Sequence, residues 1–223
     1  LPDHSGVDWE RNILWVKEGC FVVLDRMRAV KPGNYAFRCL WRTLGTAGIE
    51  GNRLVTRQGE QTPERKDAMH LVFGDDVRGT VVEEREEFGS RWRGKYEHAE
   101  PVVNIHSQDV SRTLAPGDAF LFANLFYATN TVEPQSLQLA KLDERSAYVA
   151  GDEAMLAVVG NEAHAIGGVQ TKAALLLIRK GGLTAGRATS LVVDGTPILA
   201  CPKGVSVSLD LASRKLVLRP DVA

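Results

Sequence analysis

The sequence predicts an all-β protein, an antiparallel β-sandwich followed by a smaller β subdomain. Three observations predict it. Apolar runs are short and are broken by Gly, Pro, Asn and Asp, as strands and turns are. Tyr35, Phe37, Cys39 and Trp41 share one face at period two, with Ala36, Arg38, Leu40 and Arg42 on the other. The reversals are tight: Asp194-Gly195 between Val193 and Thr196 suits the positive φ of a type I′ hairpin turn.

The elements follow in order. Ile13 to Val16 and Phe21 to Leu24 are apolar runs joined by Lys17-Glu18-Gly19-Cys20, a gap that suits a hairpin. Lys31-Pro32-Gly33-Asn34 is the next turn, with Pro presetting φ and Gly supplying a positive one. After the Tyr35 strand come Asn52 to Thr56, Ala68 to Phe73, Gly79 to Arg85 and Phe88 to Tyr96. Val102 to Leu114 is a long strand that turns at Ala115-Pro116-Gly117-Asp118 into the apolar run Ala119 to Thr129. Gln61 to Met69 reads as one short helix or a solvated loop. Ala163 to Ile178 is rich in Ala and Leu, but Gly167-Gly168 interrupts it.

The chain loosens around Asn130 to Gln135, which places a boundary between a large sandwich over 1–130 and a smaller β subdomain over 131–223, packed on it. Short strands are expected in the second part: Ser146 to Ala150, Ala154 to Val159, Ala173 to Arg179, Ser190 to Val193, Pro197 to Cys201, Val205 to Leu211 and Lys215 to Leu218. Tight antiparallel connections favour a sandwich over a parallel α/β sheet. No repeat of 20 to 50 residues appears, which argues against a propeller or solenoid.

Composition narrows the function. At 223 residues, 44% hydrophobic and 25% charged, the chain can bury a sizeable core. With 27 basic and 28 acidic residues it offers no overall charge for nucleic acid or an anionic membrane surface. No apolar run approaches the ~18 residues of a membrane span. No signal peptide is visible, and Leu1-Pro2-Asp3, without an initiator Met, is expected to open a processed product or a fragment. Cys20, Cys39 and Cys201 form no CxxC pair; Cys20 and Cys39 read as small buried hydrophobes. No metal or cofactor is expected.

Several residues invite a chemical reading. In Arg91-Trp92-Arg93-Gly94-Lys95-Tyr96, the aromatic faces suit sugar rings and the guanidinium forks suit carboxylates or sulfates. Strand alternation opposes Trp92 to Arg91 and Arg93, so a core tryptophan is the competing reading. His106 alternates with Asn104 and Gln108, giving a polar face that fronts either solvent or a sugar groove. These define the candidate substrate-binding set of Arg91, Trp92, Arg93, Tyr96 and His106. His70 reads as a satisfied core or sheet-face histidine, and Trp9 and Trp15, six apart on one parity, as core. Trp41 is expected inward, with Arg38 and Arg42 outward. Glu83-Glu84-Arg85-Glu86-Glu87 reads as a solvated loop rather than an acid–base pair. Gly181-Gly182-Leu183-Thr184-Ala185-Gly186 lacks the Lys-Ser/Thr ending of a phosphate loop, and Ser5 and Ser190 lack a nucleophile-elbow setting.

Asp8-Trp9-Glu10-Arg11-Asn12-Ile13-Leu14-Trp15-Val16-Lys17, followed by Phe21-Val22-Val23-Leu24-Asp25-Arg26, resembles heparinase II/III-like polysaccharide lyases. Tyr35 to Leu44 continues the similarity, which is looser at Ala115-Pro116-Gly117-Asp118. The resemblance implies the C-terminal, supersandwich-like region of enzymes that pair an α-toroid with a β-sandwich and cleave uronate polysaccharides by β-elimination. In that family a Tyr and an Asn or His from the helical domain, with a His from an H-x-H-x-D stretch, move the protons; that stretch can also hold zinc. This chain contains no H-x-H-x-D, so no catalytic residue is carried over. The implied partners are an acidic polysaccharide or oligosaccharide, such as a heparinoid or alginate, and the catalytic helical domain of the same parent protein. The implied location is secreted or periplasmic. The competing expectation is an autonomous carbohydrate-binding or adhesion module with no catalytic partner.

Overall fold

A computed structural model describes residues 6–17, 19–44, 46–57, 67–74, 79–84, 103–129, 137–151 and 154–220. The described residues are strands and turns, with no helix among them. They fall into two compact units, Leu1–Ala140 and Lys141–Ala223.

The first unit holds β1 (Val7–Val16), β2 (Cys20–Ala29), β3 (Gly33–Leu44), β4 (Thr46–Glu50), β5 (Arg53–Arg57), β6 (Ala68–Phe73), β7 (Gly79–Glu84), β8 (Val103–Leu114) and β9 (Ala119–Thr129). A six-stranded sheet runs β1-β2-β9-β6-β5-β4, and a three-stranded sheet runs β3-β8-β7. The strand pairings of both sheets are antiparallel among the described residues. The sheets pack face to face. Met27, Phe120 and Phe122 of the larger sheet meet Cys39 and Val110 of the smaller. Phe37 stacks on Phe120 at 5.9 Å between ring centroids, and Trp41 meets Phe126 edge-on at 4.7 Å. Aromatic pairs of this kind add about 0.5–1.5 kcal/mol each beyond their area burial.

β9 is buried on both faces. Phe120 and Phe122 look toward the smaller sheet, while Leu121, Ala123 and Leu125 on the opposite face have no exposure. This explains why Ala119 to Thr129 reads as an unbroken apolar run rather than an alternation. Val22 and Leu24, next to β9 on that opposite face, are also fully buried. Leu139 reaches the same face: a Cβ on Gly74 would lie 3.0 Å from the Ala123 Cβ and 3.1 Å from the Leu139 Cδ2.

The Lys31 to Asn34 turn is shorter than expected. β3 already starts at Gly33, and Gly33 does not use a positive φ. Glu83 and Glu84, expected in a solvated loop, end β7 instead, opposite Asn104 and Val103 of β8. The predicted helix or loop at Gln61 to Met69 gives strand at Ala68 and Met69; its residues 61–66 lie outside the described residues. The strand expected at Phe88 to Tyr96 lies outside them too.

β10 (Gln138–Lys141) ends at the boundary of the units. The second unit continues with β11 (Ser146–Ala150), β12 (Met155–Val159), β13 (Ala163–Ile166), β14 (Val169–Lys172), β15 (Leu175–Arg179), β16 (Gly182–Val193), β17 (Thr196–Asp210) and β18 (Lys215–Pro220). The sheet order is β10-β11-β12-β15-β16-β14-β13, with β17 beside β16 and β18 beside β17. Ala163 to Ile178, rich in helix formers, is thus three strands, its Gly167-Gly168 pair serving as a hairpin turn. Asp194 and Gly195 have φ of 48° and 76°, as a type I′ turn requires. The unit's own core gathers Leu176, Leu183, Ala185, Ala188, Leu191 and Val207.

Because Phe122 fills the space between the two sheets of the first unit, Phe122→Ala is expected to cost about 3–5 kcal/mol in that unit's stability. Urea unfolding followed by circular dichroism measures the loss. A loss below 1 kcal/mol would mean that the sheets do not share this core.

Candidate binding face and buried polar ladder

The β1–β2 hairpin carries the most distinctive surface. Its register sets Trp9 against Met27, Arg11 against Asp25, Ile13 against Val23 and Trp15 against Phe21, so these eight residues share one face. That face looks toward the smaller sheet, since Met27 packs on Cys39. Cover runs out along β1, the sheet's edge strand. Val7 joins the shared core, and the Arg11 guanidinium lies 5.2 Å from the centroid of the Trp41 ring. Farther along, Ile13 is 58%, Trp15 66% and Phe21 43% exposed, and Trp9 is 58% exposed. Trp15 and Phe21 stack at 5.8 Å with planes 9° apart. The expectation that Trp9 and Trp15 are core residues is therefore corrected: their parity matches the core face, but the narrower sheet does not cover them.

Asp25 anchors this face. It is 2% exposed and ionisable, so it requires partners. Arg11 supplies two, Nε donating to Oδ1 at 2.7 Å and Nη2 to Oδ2 at 2.9 Å. The indole Nε1 of Trp9 donates to the same Oδ1 at 3.1 Å. The carboxylate in turn raises the pKa of Arg11, chiefly through their hydrogen bond. The guanidinium lies 5.4 Å from the centroid of the Trp9 ring as well, so it is flanked by two indoles. Trp9 is thereby fixed in orientation while most of its ring stays open. About six strand residues separate Trp9 from Trp15, a span of roughly 20 Å. Chemically, this is a rigid row of aromatic faces able to stack on flat apolar ligand surfaces such as the C–H face of a pyranose ring.

Of the residues singled out from sequence, Arg91, Trp92, Arg93 and Tyr96 lie outside the described residues. His106 is described, and its face is corrected. Register sets Asn104, His106 and Gln108 opposite Thr43, Trp41 and Cys39, on the interior of the sandwich. Asn104 is 2% exposed, and His106 and Gln108 are not exposed at all, so this face fronts neither solvent nor groove. His106 stacks on Phe73 of the other sheet at 4.1 Å. Among the described residues neither of its ring nitrogens has a hydrogen-bond partner, and the same holds for both side-chain polar atoms of Gln108 and for Asn124 Oδ1. Asn124 Nδ2 donates to the Cys39 sulfur at 3.9 Å. Trp41 is half-buried and Arg38 and Arg42 are exposed, as the alternation predicts. His70 is buried as expected, with Nε2 3.0 Å from Thr129 Oγ1 and its ring stacked on Tyr127. Cys20 and Cys39 are buried free thiols; Cys201 is free and half-buried. Burial pushes the Cys20 thiol up to about 11, so it stays protonated.

Two predictions follow from this geometry. Arg11→Ala leaves a buried carboxylate without its main partner and is expected to cost about 2–3 kcal/mol, less than a fully buried pair because the guanidinium is partly exposed. Arg11→Lys should recover only part, since an ammonium cannot fork onto both oxygens; urea unfolding of the two variants tests the ranking, which equal losses would refute. Burial pulls the His106 pKa down to about 4 from the ordinary 6.5. Above pH 6.5 both states are neutral and pH has no leverage through this group. Between pH 6.5 and 4 only the unfolded chain takes the proton, so stability falls with acid, by on the order of 3 kcal/mol in total. His106→Leu removes that contribution together with the two orphaned ring nitrogens; an unchanged slope of stability against pH in this variant would refute the assignment.

No protein-family model matches the chain, and no curated protein matches it at a significant level.

Proposed function

We propose that the chain is the β-sandwich portion of a heparinase II/III-like polysaccharide lyase, holding an acidic glycan while the catalytic helical domain of the parent protein carries out β-elimination. The observation that carries this reading is the open row of Trp9, Ile13, Trp15 and Phe21 on the β1–β2 hairpin. Scattered exposed apolar residues need no explanation, but contiguous ones on a rigid sheet mark a binding surface. The row lies within the very stretch, Asp8 to Arg26, on which the resemblance rests. The Arg11–Asp25 pair holds Trp9, and Trp15 and Phe21 hold each other by stacking, so less side-chain freedom is lost at these rings when a ligand binds. The reading carries with it a secreted or periplasmic location, where such polymers are met.

Binding to heparin, heparan sulfate and alginate, measured by titration calorimetry, tests the proposal. The chain should bind at least one of them, and Trp15→Ala combined with Phe21→Ala should weaken binding by about tenfold, the effect of some 1.4 kcal/mol. Both side chains are surface-exposed, so thermal stability should be little changed. The chain alone should release no unsaturated uronate, followed by its ultraviolet absorbance. Release of that product would place an elimination site within this sandwich, and failure to bind any of the three polymers would sink the reading.

A further inference from the structure

At one end of the second unit, four strands finish in register. Arg179, Gly182, Asp210 and Lys215 pair directly across β15, β16, β17 and β18, so they lie on one face of the sheet. This is the face opposite Leu183 and Val207 of the unit's core. Gly182 places no side chain in the middle of the row; a Cβ there would come within 2.6 Å of the Leu209 carbonyl oxygen. The result is a cleft of about 390 Å³, lined by Arg179, Lys180, Ser208, Asp210, Lys215 and Val217 around the glycines. That volume falls in the range of small-ligand sites.

The charges are unbalanced. Three cations face a single carboxylate. Asp210 is already engaged, accepting a hydrogen bond from the Ser213 backbone N–H at 2.8 Å across the β17–β18 turn. Among the described residues no ion pair neutralises Lys180 or Lys215, and neither is buried. A guanidinium fork, two ammonium groups and a hydroxyl around one dip form a donor set suited to an oxyanion. The half-buried Val217 adds an apolar surface beside it.

We propose that this cleft binds the acidic group of a saccharide, a uronate carboxylate or a sulfate ester, through Arg179, Lys180, Lys215 and Ser208. The proposal rests on the acidic-glycan reading above and adds a charge-reading site to it. It is a site made by cations, not by backbone amides of a glycine loop.

The test uses the full chain. Heparin oligosaccharide and its fully desulfated counterpart are titrated into the wild type, the Lys180→Ala/Lys215→Ala variant and a control, Lys172→Ala/Lys203→Ala, which removes the same charge elsewhere on the unit. The cleft variant should bind at least about tenfold more weakly and lose much of its salt sensitivity, while the control keeps both. Loss with heparin alone identifies the sulfate as the recognised group; loss with both ligands identifies the carboxylate. Equal affinities of the cleft variant and wild type overturn the cleft while leaving the glycan reading intact. If the wild type binds neither ligand, alginate oligosaccharide takes their place in the same comparison; if that does not bind either, the glycan reading itself fails. Inorganic sulfate then tests the cleft alone, through amide chemical shifts at Gly181 and Gly182; absent shifts overturn it.

Discussion

The structure of the first unit depends on burying β9 from both sides. A strand with Phe120, Phe122 and Phe126 on one face and Leu121, Ala123 and Leu125 on the other cannot sit at a surface. It has to lie inside a sheet, flanked by β2 and β6, with a second layer over each face. The smaller sheet covers one face and Leu139 reaches the other. The neighbours inherit the constraint: Val22 and Leu24 of β2 and Val72 of β6 are as buried as β9 itself.

That constraint makes polar groups near the centre expensive, and the two clusters found there meet the expense differently. Asp25 is on the core-facing side of β2 and is fully satisfied, by a two-pronged arginine and an indole from the adjacent strand. Those bonds tie the edge strand β1 to the sheet and fix its indole. The ladder of His106 and Gln108 is the opposite case. It is equally buried, but among the described residues its polar atoms have no partner, and an atom left so costs on the order of 1–3 kcal/mol. His106 reduces its own cost by staying neutral and stacking on Phe73.

How far the sequence could be read depends on whether a feature is local. The hairpin at Asp194-Gly195 is legible because two adjacent residues determine it, and the face of Tyr35, Phe37, Cys39 and Trp41 because alternation does. Parity, however, says which residues share a face and nothing about what lies over that face. Trp9 and Trp15 share the parity of the core and still emerge, because β1 is an edge strand and the sheet it faces has three strands among the described residues. His106 fails in the reverse sense. Its polar neighbours at period two suggested an outward face, but pairing with Trp41 turns it inward. That pairing joins residues 65 positions apart, beyond any local pattern. The basic cleft was illegible for the same reason, since Arg179 and Lys215 come together only through two intervening strands. Read as a string, Gly181-Gly182 suggested only a phosphate loop to be discarded.

Exposed aromatic and cationic faces on such a protein arise where a sheet extends past its cover, and this has an energetic logic. Residues such as Phe122 and Leu176 cannot change without opening a cavity, so they are unavailable for recognition. Residues beyond the cover are positioned by the same rigid ladder and yet support nothing above them. Trp15 and Phe21 at the hairpin end, and Arg179 and Lys215 at the ends of their strands, are of this kind. Their backbones are held by cross-strand hydrogen bonds while their side chains face water, so a ligand meets a surface whose main-chain ordering cost was met during folding. An antiparallel β-scaffold can therefore present an aromatic face and a cationic face without weakening either core, and the chemistry of each face can vary while the fold stays as it is.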